Sequence, residues 1–452
     1  MEKKSKHRGG TLPLLAMAAA FACAANGAHA QERSLWSPVQ PAKPAVGPLE
    51  EPIELELDIP RLPPGFQETP AIEPDALLQF LIDGYTGITY QDNVFRADSN
   101  KDSDFLWIGS PRLRLIYDGP RVDAEAGLEV EVGRYFDLTE GDYEDFGVSA
   151  SGVWEGPEDD FARLRGAVGR RHQGIGADIS NPERQAAEVT EFWEGWLRFD
   201  AESRFENFGA APDIRARFLD FENADRRNGT EIDNQVKDRV ELDGAVRLSY
   251  PAGAVWQAVI DPAANARLYR QEDGGTGDFD RDSYGFEPRA GVRYRNESAR
   301  IDAVLTAGVA HQNYQDSRFD SITAFSMLGA LDWYFLNDTR LDLDIERGID
   351  ETTLEGAAGV ITTRGRVRLV RTFDEFISVG VSGEAETREF EVNRALQAER
   401  TDDVFRLGLE ANYLFSDIGF AGVQFGYVYR DSTDATVRFD AFEASARVGA
   451  RF

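Results

Sequence analysis

Phe442-Glu-Ala-Ser-Ala-Arg-Val-Gly-Ala-Arg-Phe452 closes the chain with apolar side chains at every even position and polar or small ones between. Period two is the signature of a strand with two unlike faces, whereas a helix would wrap both kinds of residue around its circumference. Domain ends are commonly frayed and polar, so a strand that runs to a terminal phenylalanine predicts a wall element with lipid against one face.

The same separation recurs upstream. Arg121 to Gly133 reads R-V-D-A-E-A-G-L-E-V-E-V-G, with Val122, Ala124, Ala126, Leu128, Val130 and Val132 on one face. Asp123, Glu125, Glu129 and Glu131 take the other. In 236–250, Val236, Val240, Leu242, Val246, Leu248 and Tyr250 share a face with Asp238, and Lys237, Arg239, Glu241, Asp243 and Arg247 oppose them. Eighteen such segments follow one another: 84–95, 105–117, 121–136, 142–155, 161–173, 189–203, 213–223, 236–250, 254–270, 285–296, 298–314, 323–336, 338–349, 359–373, 375–390, 403–415, 420–431 and 438–452. Their connections alternate between short turns, such as Asn337-Asp338 and Asp118-Gly-Pro120, and longer polar loops, such as 173–188 and 271–284. Short turns at one end and long loops at the other, with an even strand count, predict an all-β fold: a transmembrane antiparallel up-and-down barrel of about 18 strands, 16 being the alternative. A soluble sandwich would have to bury the charged faces, which its core could not tolerate.

The N-terminal region reads differently. Lys3, Lys4, Lys6 and Arg8 precede an apolar stretch from Leu12 to Ala25 and then Ala28-His29-Ala30, a signal peptide over 1–30 with Sec-type export and cleavage expected near Ala30-Gln31. The apolar stretch is too short to span a bilayer as a helix. Cys23, the chain's single cysteine, would leave with it, so disulfides, thiolate metal sites and a cysteine nucleophile are excluded from the remainder. The chain carries a net charge of −31, and the leader is its most basic part, so the exported protein is more acidic still and repels nucleic acid. Residues 31–78 are rich in proline, including Pro38, Pro41, Pro44, Pro48, Pro63 and Pro64, with Glu50, Glu51, Glu54 and Glu56 between them. They read as a disordered, acidic periplasmic segment. Trp36 and the alternating Ile53–Ile59 leave open a role in docking a partner or blocking a pore. The barrel is expected over 79–452.

On the outward face, Tyr135, Phe136, Trp154, Tyr250, Trp333, Phe335, Phe373, Phe415 and Phe452 fall near strand ends, where interfacial girdles are expected. The inward phase carries both signs of charge. Arg340, Arg366, Arg368, Arg239, Arg247, Arg293, Glu125, Glu129 and Glu131 are the pore-lining candidates, with Arg366, Arg368 and Arg340 the preferred contacts for a polyanion. Cross-strand arginine–carboxylate ladders that stiffen the wall are the structural alternative for each. Eighteen strands leave an aqueous lumen unless something fills it.

Catalysis is not expected. Outside the leader the histidines are His172 and His311, near loop-side strand ends, and neither falls in a recognisable constellation, although Asp316 and Asp320 follow His311. The acidic loops Asp98–Asp104 and Asp273–Asp282 read as solvated rather than as metal sites, and no cofactor or metal is expected.

Tyr90-Gln-Asp-Asn-Val-Phe-Arg96, Ser103-Asp104, Ser110-Pro-Arg-Leu-Arg-Leu115 and Gly426-Tyr-Val-Tyr-Arg-Asp-Ser432 before an aromatic terminus together resemble the putative β-barrel porin 2 family over about 80–452. Gln91 stands where an acid is usual. The resemblance implies an outer-membrane porin of a Gram-negative bacterium, acting as a conduit for exopolysaccharide secretion from periplasm to cell surface. A general or solute-specific diffusion porin and a structural or adhesive barrel with a plugged lumen are the alternatives. Expected partners are outer-membrane lipid, the barrel assembly machinery reading an insertion signal at Phe442, Val448 and Phe452, and a periplasmic polysaccharide export assembly.

Overall fold

The computed structural model describes residues 78–452, apart from 158–159, 176–186, 226–228, 230, 271–279, 353, 355, 374–375, 393–398 and 417. The expected leader and nearly all of the proline-rich segment lie outside these residues, as do much of the loops expected at 173–188 and 271–284. The strands in chain order are β1 (Leu78–Gln91), β2 (Asp104–Asp118), β3 (Val122–Tyr135), β4 (Tyr143–Glu155), β5 (Phe161–Gln173), β6 (Thr190–Arg204), β7 (Gly209–Phe221), β8 (Ala224–Asp225), β9 (Glu231–Ile232), β10 (Arg239–Pro251), β11 (Trp256–Tyr269), β12 (Ser283–Asn296), β13 (Ile301–Tyr314), β14 (Ile322–Leu336), β15 (Thr339–Asp350), β16 (Ala357–Phe373), β17 (Ile377–Val392), β18 (Arg400–Leu414), β19 (Gly419–Ser432) and β20 (Phe439–Arg451). β8 and β9 form a separate ribbon within one loop; the other eighteen make one closed antiparallel sheet.

Closure is made by β20 against β1, in register from Asp83↔Arg451 to Gln91↔Glu443. Phe452 extends the ladder: its N–H donates to Ile82 O at 2.8 Å, and Ile82 N–H donates to Phe452 O at 3.0 Å. A closed ladder leaves no edge, the condition for a sheet to sit in hydrocarbon, where unpaired backbone groups cost several kcal/mol each. The exterior follows from the alternation. Ile260, Leu305, Val381 and Leu407 are each more than half exposed, as are Phe136, Tyr250, Phe415 and Phe452 near strand ends. Such a surface suits a bilayer rather than water. Tyr135 is an exception to the expected girdle: its hydroxyl donates to Gln91 Oε1 inside the barrel, at 2.9 Å.

Most strand boundaries differ from the sequence reading, by as much as six residues at the start of β1, and two of the differences have a plain cause. β1 begins at Leu78 rather than 84, because Leu81 is an apolar residue on the inward phase and blurs the alternation. The segment expected from 236 opens instead with a 3-10 turn, Gln235–Lys237, which buries Val236 and Lys237. Asp238 then accepts from the Phe221 N–H at 2.7 Å before β10 starts. Prolines also sit inside the wall: Pro262 and Pro288 face each other across β11 and β12. A side chain at Gly308 on β13 would collide with the Pro288 carbonyl, so glycine is required there.

Candidate functional site in the barrel lumen

Inward-facing residues on one strand recur at every second position, so Arg364, Arg366 and Arg368 of β16 form a vertical row. Each meets carboxylates from neighbouring strands. Arg364 binds Glu346 of β15 at 2.7 Å and Glu386 of β17 at 2.8 Å. Arg366 binds Glu384 at 2.9 Å, and Arg368 reaches Glu410 of β18 at 2.7 Å. Arg388 and Arg406 also converge on Glu384 and Glu386, and Arg340 binds Asp332 at 2.9 Å. Water still reaches this row, for the Arg366 side chain is 54 % exposed and those of Arg340 and Arg368 about a third or more. Ion pairs in such a setting are screened, and their forks can exchange partners.

The arc from β5 to β14 has the same chemistry in a drier form. Asp200 is shared by Arg163 and Arg165, at 2.8 and 3.1 Å, and Asp261 by Arg247 and Arg289, both at 3.2 Å. Asp302 takes Arg293 and Arg295, at 2.7 and 2.8 Å. Arg239 binds Glu241 and Arg267 binds Asp243, each at 2.7 Å, with almost no guanidinium surface left to solvent. Breaking one member of such a buried pair strands a charge. Among the pore-lining candidates, Arg239, Arg247 and Arg293 therefore sit in the wall as struts. Arg340, Arg366 and Arg368 line its wet part.

A folded-in hairpin covers the loop end of β11 to β14. The tip joining β15 to β16, and β16 from Ala357 to Thr362, are buried wherever described, although the tip is a loop. Arg281, just before β12, donates to the carbonyls of Thr352 at 3.0 Å, Ala357 at 3.3 Å and Leu354 at 3.4 Å. Glu351 accepts from the Tyr269 hydroxyl at 3.2 Å and the Ser283 hydroxyl at 3.3 Å. Burial pushes the Glu351 carboxyl above its usual range, against the pull of Arg267 and Arg239. Ile349 and Ile361 pack with Ala310, Phe319, Ile322 and Ala324, while Leu354 packs with Val360 and Phe390. Tyr269, Ser283, Ala310 and Ala324 lie on the lumen-facing phase of β11 to β14. The tip thus crosses the inside of β13 and β14 to reach β11 and β12, and narrows the loop end of the barrel. Gly359 lets it lie against Tyr314.

The remaining candidates take other places. Glu125 lies 3.6 Å from Arg114, Glu129 is bound by Arg171 of β5, and Glu131 accepts from the hydroxyls of Tyr85 at 3.0 Å and Tyr143 at 2.9 Å. Phe442, Val448 and Phe452 face outward, exposed. His172 has a carboxylate partner distant in sequence: its Nδ1 is 3.0 Å from Asp145, and its ring stacks on Tyr143. His311 Nδ1 pairs with the Thr323 hydroxyl at 2.7 Å. Arg267, Arg281 and Asn412 were not singled out from the sequence. Parity alone would have placed Arg267 and Asn412 on the inward phase, whereas Arg281 lies in a loop and carries no periodic signal.

A closed, antiparallel barrel with a lipid-compatible exterior and a charged lumen defines an outer-membrane, porin-like protein. The family model Putative beta-barrel porin 2 matches residues 80–452, and the chain belongs to that family. No curated protein matches its sequence. Solved structures similar to it include OccK3 (OpdO) of Pseudomonas aeruginosa, 11% identical, covering 83% of this chain and 96% of that one at a TM-score of 0.41. OpdK of Pseudomonas aeruginosa, solved with vanillate, is 10% identical, covering 83% and 99% at 0.42. The siderophore receptor PirA of Acinetobacter baumannii is 6% identical, covering 82% and 80% at 0.42.

Proposed function

We propose that the barrel is a passive conduit across the outer membrane for hydroxyl-rich, acid-bearing solute, with a secreted exopolysaccharide as its cargo. The observation that carries this reading is the wet row Arg340, Arg366 and Arg368, whose guanidinium forks reach the lumen and are held by exchangeable carboxylates. Weak, repeated contacts of this kind guide a solute without trapping it. The loops face the exterior and the turns the periplasm, as the order of insertion requires. Phe442, Val448 and Phe452 serve as the insertion signal for the barrel assembly machinery. The proline-rich region before the barrel would serve a periplasmic export assembly as its docking segment.

The folded-in hairpin favours a second reading, a diffusion porin for small anionic solutes, because it narrows the loop end. Proteoliposomes loaded with a fluorescent acidic polysaccharide and, separately, with a small uronic acid distinguish the two. Release of both supports the conduit, release of the small acid alone supports the porin, and retention of both contradicts transport.

A further inference from the structure

Tryptophan keeps to the outside of this wall with one exception. Among the described residues, Trp107, Trp154, Trp193, Trp256 and Trp333 lie on the outward phase of their strands. Trp196 of β6 lies on the inward phase, between Glu194 and Arg198. Other inward aromatics are committed: Phe192 stacks on Phe221, Tyr143 stacks on His172, and the hydroxyls of Tyr85 and Tyr143 donate to Glu131. Half-buried Trp196 has no ring or cation–π contact among the described residues, and its indole N–H is neither hydrogen-bonded nor buried.

The surface beside the indole is low and wet. In register across the lumen face run Arg114 of β2, Gly127 of β3, Ser149 of β4, Ala167 of β5, Trp196 and Arg217 of β7. A Cβ added at Gly127 would meet only the Ser149 hydroxyl, at 2.9 Å, and the Leu113 carbonyl, at 3.9 Å. Ser149 is exposed although it faces the lumen, so water stands over this floor. Strands lie about 4.8 Å apart, which makes the floor from Gly127 to Ala167 roughly 10 Å wide, the span of one sugar ring with its hydroxyls. Polar groups edge it. The Arg171–Glu129 pair crosses over Gly147 on the loop side. On the turn side, Ser151 is in register with Glu125, whose side chain is 41 % exposed and 3.6 Å from Arg114. Neither the Ser149 nor the Ser151 hydroxyl has a hydrogen-bond partner among the described residues.

An indole facing water adds little to the packing of a wall. Its electron-rich face suits the C–H face of a sugar ring, while its N–H and the nearby hydroxyls and carboxylates suit the ring's own hydroxyls. β3 to β6 also lie across the closed sheet from the β15–β18 arginine row, and away from the hairpin that covers β11 to β14.

We propose that Trp196, with the floor of Gly127, Ser149 and Ala167, is a pyranose-stacking subsite on the lumen wall, which binds uncharged sugar rings of the solute. The subsite deepens the conduit reading and rests on it for the claim that the solute passes, but the binding itself stands on this row of residues. It assigns the sugar's apolar face to this wall and leaves acid groups to the arginines opposite.

Titration of maltohexaose into the full-length barrel in a sugar-free detergent, followed by calorimetry, tests the subsite independently of conduction. Sorbitol, which has hydroxyls and no ring, is the control. Binding of maltohexaose and not of sorbitol is expected, weakened about tenfold or more in Trp196→Ala and largely restored in Trp196→Phe, which keeps a ring face. Gly127→Val, which fills the floor without touching the indole, should weaken binding as well. Heat-modifiable migration of each variant shows that it has folded. No binding to the wild-type barrel, equal binding to the alanine variant, or a phenylalanine variant no better than alanine would overturn the subsite, and unchanged binding to Gly127→Val would remove the floor from it. Ion conductance of the wild type, measured separately, tests the conduit reading: its absence beside intact binding would sink that reading alone.

Discussion

Arg281 holds the hairpin tip by three backbone carbonyls at once. A buried carbonyl left without its donor costs about 1–3 kcal/mol, so Arg281→Ala should release the tip while the wall ladder stays intact. The expected result is higher single-channel conductance and faster proteolysis within 351–356, with heat-modifiable migration unchanged. Unchanged conductance and unchanged proteolysis would show that the tip is held by its apolar packing alone. Residues of this kind were the least legible in the sequence. The inward phase of Arg340, Arg366 and Arg368 followed from alternation. That Glu129 answers Arg171 two strands away rather than Arg112 beside it depends on the side-chain space above Gly147, which no periodicity encodes.

Individual strands were more legible, because a residue slipped by one place changes face and is visible in the pattern. The ends were less so where an apolar residue turns inward, as Leu81 does, or where a turn carries strand-like residues, as Val236 does. That turn carries a pH response. Burial, and the charge of Asp220 beside it, push the Asp238 carboxyl up to about 7, against the Phe221 N–H and Arg270. A raised carboxyl favours the folded state while protonated. Its contribution is therefore fully present below the ordinary aspartate range near 4 and is lost as pH rises through about 7. Hydrogen exchange at the loop ends of β7 and β10 should quicken over that interval, and Asp238→Asn should flatten the response. At the other end of the chain, Phe452 contributes both hydrogen bonds with Ile82. Its deletion should cut the yield of membrane-inserted, heat-modifiable barrel several-fold in cells, while channels that do insert conduct as before. Normal yield would remove Phe452 from the insertion signal.

For the whole molecule, alternation, turn spacing and an even strand count were enough to anticipate a closed barrel, because a membrane wall has few solutions for its backbone. They could not anticipate how much of the lumen is filled. The connection between β15 and β16 falls by alternation on the exterior loop side, yet its packing against Ala310, Ile322 and Ala324 turns it into the lumen. The central claim is that water and solute still pass beside it along the β15–β18 wall. Single-channel recording of the purified barrel in planar bilayers tests this most directly. Steady ohmic steps are expected from the wild type, with larger steps once 351–356 are replaced by a short glycine turn. A barrel that inserts and is heat-modifiable but conducts nothing, with or without those residues, would contradict the account.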